Sequence, residues 1–411
     1  MGKVLELAER LWSGTDTTAT LHPFTQLLGL EPIQDGLGFV SSFANVNVLA
    51  TSEGLVLLDA GSFFLAGSNF SNVREWSRER VHTAVYTHGH VDHAFGLGPF
   101  EEEARAQGWD PIRVVAHHAV NQRFDRYALT AGYNEIINRR QFGTAMWPTR
   151  YRRPDLTFHD RLELAVGGEA IQLFHDRGET DDHAWAFLPE RRVLCTGDLF
   201  IWASPNCGNP QKVQRYPLDW ARALRRMAEL RAVALLPGHG PPILGEDRVH
   251  QALSETAELL ETLVEQTLGL MNAGKRLDAV IHGVHAPAHL LERPYLRPIY
   301  DDPAFVVRNL WRLYGGWWDG NPAHLKPAPE VDVARELAAL AGGAERLAER
   351  ARALLGDGRL QLASHLVEHA ALAAPGEEAI RRLRGEIYAA RAEEEPSLMA
   401  KGIFGAAARG D

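Results

Sequence analysis

The residues best placed to do chemistry are Thr87-His88-Gly89-His90-Val91-Asp92-His93. Three imidazoles and a carboxylate follow directly on the apolar pair Val85-Tyr86, which reads as the end of a strand. Neutral imidazole and carboxylate are the ligands that zinc, iron and manganese accept. His88 and His90 are spaced to close on one cation, which leaves Asp92 and His93 to reach a second. A histidine-rich turn alone can be a surface feature. Here three more turns with ligand-type residues follow at the ends of expected strands: Gly178-Glu179-Thr180, Cys195-Thr196-Gly197-Asp198 and Pro237-Gly238-His239-Gly240. Metal-assisted hydrolysis is the chemistry open to such a set. Two cations sharing a hydroxide bring the pKa of water from roughly 15.7 to about 7, so a nucleophile exists without a separate base.

The elements that must hold these turns are legible from periodicity. Val46-Asn47-Val48-Leu49-Ala50 and Leu55-Val56-Leu57-Leu58 flank a turn at Ser52-Glu53-Gly54 and read as a hairpin within residues 36–61. Helical spacing follows over Val73 to Arg80, then the strand into the histidine motif. Further strands are expected at 112–116, 170–174, 184–188 and 193–196. The aromatic, arginine-rich stretch 119–160 exceeds a simple connection and is expected to form a helical insert over the active site. After Gly245 the pattern turns helical. Leu253, Leu260, Leu263 and Leu270 make one stripe, and Leu337, Leu340, Ala344, Leu347, Ala351 and Leu354 another. Helices starting at Leu362 and near Ile380 complete an antiparallel module punctuated by Gly356-Asp357-Gly358 and Pro375-Gly376. Strand–helix alternation with ligands at strand ends predicts an α+β fold, an αββα sandwich over residues 1–245, followed by an all-α module over 246–411.

The HxHxDH pattern, with Leu57-Leu58-Asp59-Ala60-Gly61 before it and the three later turns after it, resembles the metallo-β-lactamase fold family in order and spacing. Glu179 stands where most of that family carry a third histidine. The stretch Leu313-Tyr314-Gly315-Gly316-Trp317-Trp318-Asp319-Gly320-Asn321-Pro322-Ala323-His324-Leu325, with Gly342-Gly343-Ala344 and Met399-Ala400-Lys401-Gly402-Ile403, is similar to the dimerisation region of the bacterial alkylsulfatases. That subgroup also places Glu at the position of Glu179. The resemblance implies that His88, His90 and Glu179 hold one metal, that Asp92, His93 and His239 hold the other, and that Asp198 bridges them, with Asp92 and Asp198 as the catalytic carboxylates. Zinc is the expected metal, with manganese or iron as alternatives, since a third carboxylate hardens the site. Two divalent cations against three carboxylates leave a site near net +1, which attracts an anionic ester.

The resemblance further implies hydrolysis of alkyl sulfate esters and a homodimer formed through the C-terminal helices. Lactonase, thioesterase and phosphoesterase remain open as alternatives on the same metals, and an iron-dependent redox enzyme as a more distant one. Arg139, Arg140, Asn206, Asn209, Arg215 and Tyr216 are the candidate substrate contacts, and His183 is an alternative ligand or leaving-group acid. Phe142, Met146 and Trp147 could line an apolar tail pocket or belong to the core. Asp59 is expected to orient the ligand loop rather than touch metal. The family's His-Asn and Leu-Arg-Gly stretch is replaced here by Ser204-Pro205-Asn206-Cys207-Gly208-Asn209-Pro210, and its further lipid-carrier-like domain does not follow before Asp411.

Composition narrows the field. With 43 Lys and Arg against 53 Asp and Glu, the net charge of −10 argues against a phosphate-tracking groove, so no nucleic-acid partner is expected. Two cysteines cannot build a disulfide framework. The first residues lack a charged-then-apolar leader layout and no run reads as a membrane helix, so a cytoplasmic protein without membrane contact is expected.

Overall fold

The computed structural model describes residues 2–143, 146–148 and 150–410. The chain forms two compact units. The first comprises Met1–Ala131, Pro148–Gly274 and Val280–Gly315; the second comprises Gly132–Trp147, Lys275–Ala279 and Gly316–Asp411.

In the first unit, β1 (Gly29–Gln34), β2 (Leu37–Ser41), β3 (Val46–Thr51), β4 (Gly54–Leu58), β5 (Val81–Tyr86), β6 (Arg113–His117) and β7 (Leu156–Phe158) lie side by side in chain order. Pairing is antiparallel from β1 to β4 and parallel from β4 to β7. A second sheet contains β8 (Arg161–Val166), β9 (Glu169–His175), β10 (Ala184–Leu188), β11 (Val193–Ile201), β12 (Ala234–His239) and β13 (Ile243–Leu244), in the order β13-β12-β11-β10-β9-β8. Only β11 and β12 run parallel there.

The two sheets meet through Phe39, Leu49, Val56, Leu58, Val85 and Val115 on one side and Ile171, Leu173, Ala186, Leu188, Val193 and Leu236 on the other. Removing these side chains from water is the main force holding the layers, at about 1.5–3 kcal/mol per large aliphatic group. β4 and β11 are buried along their whole length, as strands covered on both faces must be. The outer face of the second sheet is covered by the helices Pro217–Glu229 and Glu246–Asn272, through Trp220, Leu224, Leu253, Leu260 and Leu263 packed with Leu194 and Leu199. Sheets inside and helices outside give the sandwich expected from the sequence.

Residues 246–274 and 280–315 thus belong to the first unit, whereas a break was expected at 245/246. The leucine stripe of 247–272 is real, but it faces the sandwich core. The expected insert is two helices, Ala119–Leu129 in the first unit and Ala131–Phe142, whose residues from Gly132 onward belong to the second. Residues 144, 145 and 149 of that stretch lie outside the described residues.

The second unit is helical, with a core of Ala348, Ala351, Leu354, Ala363, Val367, Ala370, Ile380, Leu383 and Ile387. One continuous helix was expected through Leu337 and Leu354. Two are present, Glu330–Ala341 and Ala344–Gly356, because Gly342 and Gly343 take φ of 88° and 126° and end the first in a left-handed cap.

Candidate metal centre

The expected ligand turns gather at the ends of adjacent strands. β4 ends at Leu58, and Asp59 directly after it has φ 64°, a conformation Asp tolerates better than most residues. So placed, its carboxylate accepts from the Thr87 backbone N–H (2.7 Å), the Thr87 hydroxyl (2.8 Å) and His93 Nδ1 (2.8 Å). The Thr87 proton is thereby committed to Asp59, so His88 Nδ1, 3.0 Å from the same hydroxyl, must donate. His239 Nδ1 donates to the Phe43 carbonyl. All three rings are fixed with Nε2 turned inward, the arrangement that orients metal-binding imidazoles.

The Gly89 N–H donates to Asp182 Oδ2 (2.9 Å), an oxygen that also accepts from Arg123 Nε (2.8 Å). A Cβ at Gly89 would lie 2.9 Å from Arg123 Cδ and 3.1 Å from that oxygen, so this turn needs glycine. The buried Arg123–Asp182 pair therefore supports the histidine turn from below.

Two groups of donor atoms result, each within 4.8 Å: His88, His90, Glu179 and Asp198, and Asp92, His93 and His239. In the first, Glu179 Oε2 is 3.5 Å from His88 Nε2 and 3.2 Å from His90 Nδ1. In the second, Asp92 Oδ2 is 3.8 Å from His93 Nε2 and 3.5 Å from His239 Nε2. Asp198 faces both. Its Oδ1 is 3.1 Å from His93 Nε2 and 3.4 Å from His239 Nε2, while Oδ2 is 3.9 Å from His88 Nε2. The register of β11 against β12 slips on either side of Gly197, whose φ is 50°, and Asp198 follows directly within the bulged stretch of β11.

The donor set fits divalent cations. His93 Nε2, Glu179 Oε2 and Asp198 Oδ1 are buried and have no hydrogen-bond partner among the described residues, although buried polar atoms are nearly always satisfied. Burial and the neighbouring His93, His90 and His183 hold His88 neutral, well below the usual imidazole range. At His93 burial also opposes charge, but Asp198, Asp59 and Asp92 outweigh it and raise the ring well above that range. The carboxylates demand positive charge at this point.

Glu179 is gripped from behind. Its Oε1 accepts from Arg215 Nη1 (2.6 Å) and from Asn206 Nδ2. Burial pushes the carboxyl up, yet Arg215 and His90 hold it down to about 2. Asn206 and Arg215 therefore sit at the site, each with one donor turned to Glu179. His183 enters neither donor group: its Nε2 accepts the Asp198 backbone N–H at 3.1 Å, which occupies the lone pair a metal would need, and burial lowers the ring to about 4. The Tyr216 ring lies under Arg177, 4.5 Å from the guanidinium carbon, and burial with Asp181 raises its hydroxyl. That surrounding is polar surface, not the donor groups. Asn209 is buried and accepts from the Gln211 N–H. Arg139, Arg140, Phe142, Met146 and Trp147 all belong to the second unit, with Arg139 and Met146 exposed and Trp147 buried.

Two residues near the donor groups carry no sequence signal. Lys212 lies on the Asn206–Arg215 loop, where burial and Arg215 lower its ammonium to about 8 against the pull of Asp92 and Glu179. Tyr300 packs edge-on against Phe24, which itself leans on His239. Burial, Glu179 and Asp92 raise its hydroxyl far above the usual range. Neither belongs to a ligand-spaced motif, and Tyr300 lies in a stretch read as part of the helical region.

Comparison with known proteins accords with this geometry. Residues 41–239 match the family model of the metallo-beta-lactamase superfamily, and residues 276–410 that of alkyl sulfatase dimerisation. The chain is 26% identical over 325 residues to a linear primary-alkylsulfatase of Pseudomonas sp. (strain ATCC 19151), covering 73% of this chain and 61% of that protein. It is 25% identical over 390 residues to an (R)-specific secondary-alkylsulfatase of Pseudomonas sp., covering 88% and 57%. The chain thus spans about three fifths of the length of these relatives. The solved structure of a stereoselective inverting sec-alkylsulfatase from Pseudomonas sp. shares the fold, with a TM-score of 0.82 at 22% identity over 93% of this chain and 66% of that one. The chain is thus similar to the metallo-β-lactamase superfamily over residues 41–239 and to the alkylsulfatase dimerisation region over residues 276–410.

Proposed function

We propose that the chain is a dinuclear metal hydrolase that cleaves alkyl sulfate esters. The observation that carries this reading is the Asp198 carboxylate, which turns one oxygen to each of the two donor groups. His88, His90 and Glu179 would hold one cation, Asp92, His93 and His239 the other, and Asp198 both. Zinc suits this nitrogen- and oxygen-rich set, with manganese and iron admitted by its three carboxylates. Two cations bound there supply a water deprotonated near neutral pH and an electrophilic pull on an ester oxygen.

The chain's own residues do the rest. Asp59, the Phe43 carbonyl and Thr87 fix the tautomers of His93, His239 and His88 and hold each Nε2 toward the donor groups. With a donor of Arg215 and of Asn206 turned to Glu179, Lys212, which the charges of Asp92 and Glu179 reach, is the candidate cation for the free sulfate oxygens. Tyr300, beside Phe24 and reached by the same carboxylates, is a candidate hydroxyl donor. A homodimer through the helical unit accompanies this reading, supported by the match of residues 276–410. The same commitment of Arg215 and Asn206 favours a second reading, a lactone, thioester or phosphate ester as substrate. Sulfate release from dodecyl sulfate, compared with opening of an aliphatic lactone by the same metal-analysed protein, separates the two. Lactone turnover without sulfate release would overturn the first.

A further inference from the structure

Glu179 is a carboxylate where a histidine could stand, and a carboxylate brings an ambiguity that an imidazole lacks: it can bind a cation through one oxygen or two. Here the ambiguity is removed by the protein. Oε1 is taken by Arg215 and Asn206, while Oε2 has no hydrogen-bond partner among the described residues and faces His88 and His90. Arg215 also donates to the Asn206 carbonyl, so the two donors lock each other.

The loop bearing them is in turn anchored by a segment outside the superfamily match. The Gly208 N–H donates to Asp301 Oδ2 at 2.5 Å, and the other Asp301 oxygen accepts from Asp302 N–H at 2.8 Å. A Cβ on Gly208 would overlap the backbone of Phe305 and Val306, so only glycine lets the loop lie this close to the helix Pro303–Gly315. From that helix, Asn309 Nδ2 donates to the Arg215 carbonyl (3.0 Å), and Asn309 Oδ1 accepts from Gln214 Nε2 (2.8 Å). Ser204 N–H donates to the Arg297 carbonyl (2.9 Å). Residues 204–215 are thus fastened at both ends and in the middle to residues 297–309.

We infer that Asn206 and Arg215 are positioning residues that fix Glu179 as a one-oxygen metal ligand, and that Asp301 and Asn309 hold them in that role. The inference rests on the reading of Glu179 as a ligand. It makes residues 297–309 a working part of the first metal site, although they carry no ligand.

Cobalt-substituted full-length protein tests this without reference to turnover. The readouts are the visible d–d spectrum and the affinity of each site in competition with a chelator. Asn206→Ala removes a neutral donor and leaves the charge of the site unchanged. It is expected to weaken one of the two sites about 10- to 100-fold, as loss of ligand-orienting groups does. Its d–d bands should also lose intensity as Glu179 comes to bind through both oxygens and the coordination number of cobalt rises, while the second site keeps its affinity. Asn309→Ala is expected to shift both readouts in the same direction by less. Should Asn206→Ala fail to fold, Arg215→Lys, which keeps the charge and loses the planar fork, is read in the same way. Wild-type affinities and spectra in these variants would overturn the inference. The underlying reading fails separately: Glu179→Gln protein that still binds two cobalt ions as tightly as wild type would remove Glu179 from the ligand set.

Discussion

At the residue scale, seven side chains contributed by four separate stretches of sequence converge on two small volumes, with Asp198 between them. An Asp198→Ala chain is expected to bind no more than one metal and to lose at least about a thousandfold in kcat/KM, since several kcal/mol of charge stabilisation go with it. Elemental analysis beside steady-state kinetics reads both. Lys212→Ala should act differently, raising KM for an anionic ester by about 10- to 100-fold, the worth of a hydrogen bond to a charged group. Its metal content should not change. An unaltered KM would remove Lys212 from the substrate contacts. The seven donors were legible because ligand chemistry restricts residue type and strand ends restrict place. Arg215 and Asn206 were legible as residues of interest but not in their role: nothing in Ser204-Pro205-Asn206 or Gln214-Arg215-Tyr216 tells that both turn back onto Glu179. Lys212 and Tyr300 were invisible, because a lone lysine or tyrosine has no spacing to betray it.

At the element scale, the strand ends set the tolerances. A Cβ on Gly238 would overlap Asp198 Oδ1, so Gly238→Ala should displace that carboxylate and empty at least one metal position. Metal analysis of the variant decides it; two tightly bound metals would show that the β12 end gives way more easily than the geometry implies. Where β6 and β9 end, His117 and His175 stack at 3.6 Å with rings nearly parallel, and His118 and His159 lie alongside. Burial, His175 and His118 lower His117 from 6.5 to about 3. Folded His117 therefore stays neutral where the unfolded imidazole takes a proton. Its contribution to stability is full above pH 6.5 and is lost as pH falls from there toward 3. His117→Phe should flatten the fall of Tm over that window; an unchanged slope would assign it to other groups. The strands were readable from alternation and apolar runs, and the helix Glu246–Asn272 from its leucine stripe. What that stripe faces was not readable, since a 3.6-residue period marks a buried face without naming its partner. Leu253→Ala, at the centre of that contact, is expected to cost about 2–5 kcal/mol. Chemical denaturation measures it.

At the scale of the whole molecule, the second unit exposes an apolar row on the helix Glu330–Ala341: Val333, Leu337 and Leu340, the last 85% exposed. Positions three and four apart share one helix face, so these form a stripe rather than scattered contacts. The homodimer proposed from the match over 276–410 would use this stripe. Leu340→Glu should convert a dimer to monomer in sedimentation equilibrium while leaving the far-UV helix signal unchanged, because the side chain is 85% exposed in its own chain. A wild-type protein that sediments as a monomer would contradict the assignment. A bridged pair of metals acting on a sulfate ester is tested most directly by one comparison: dodecyl sulfate hydrolysis by metal-analysed wild type and Asp198→Ala. Release of inorganic sulfate with about two metals per chain, abolished in the variant, is the expected result. Two metals in both proteins, or no sulfate released by a fully metallated wild type, would contradict it.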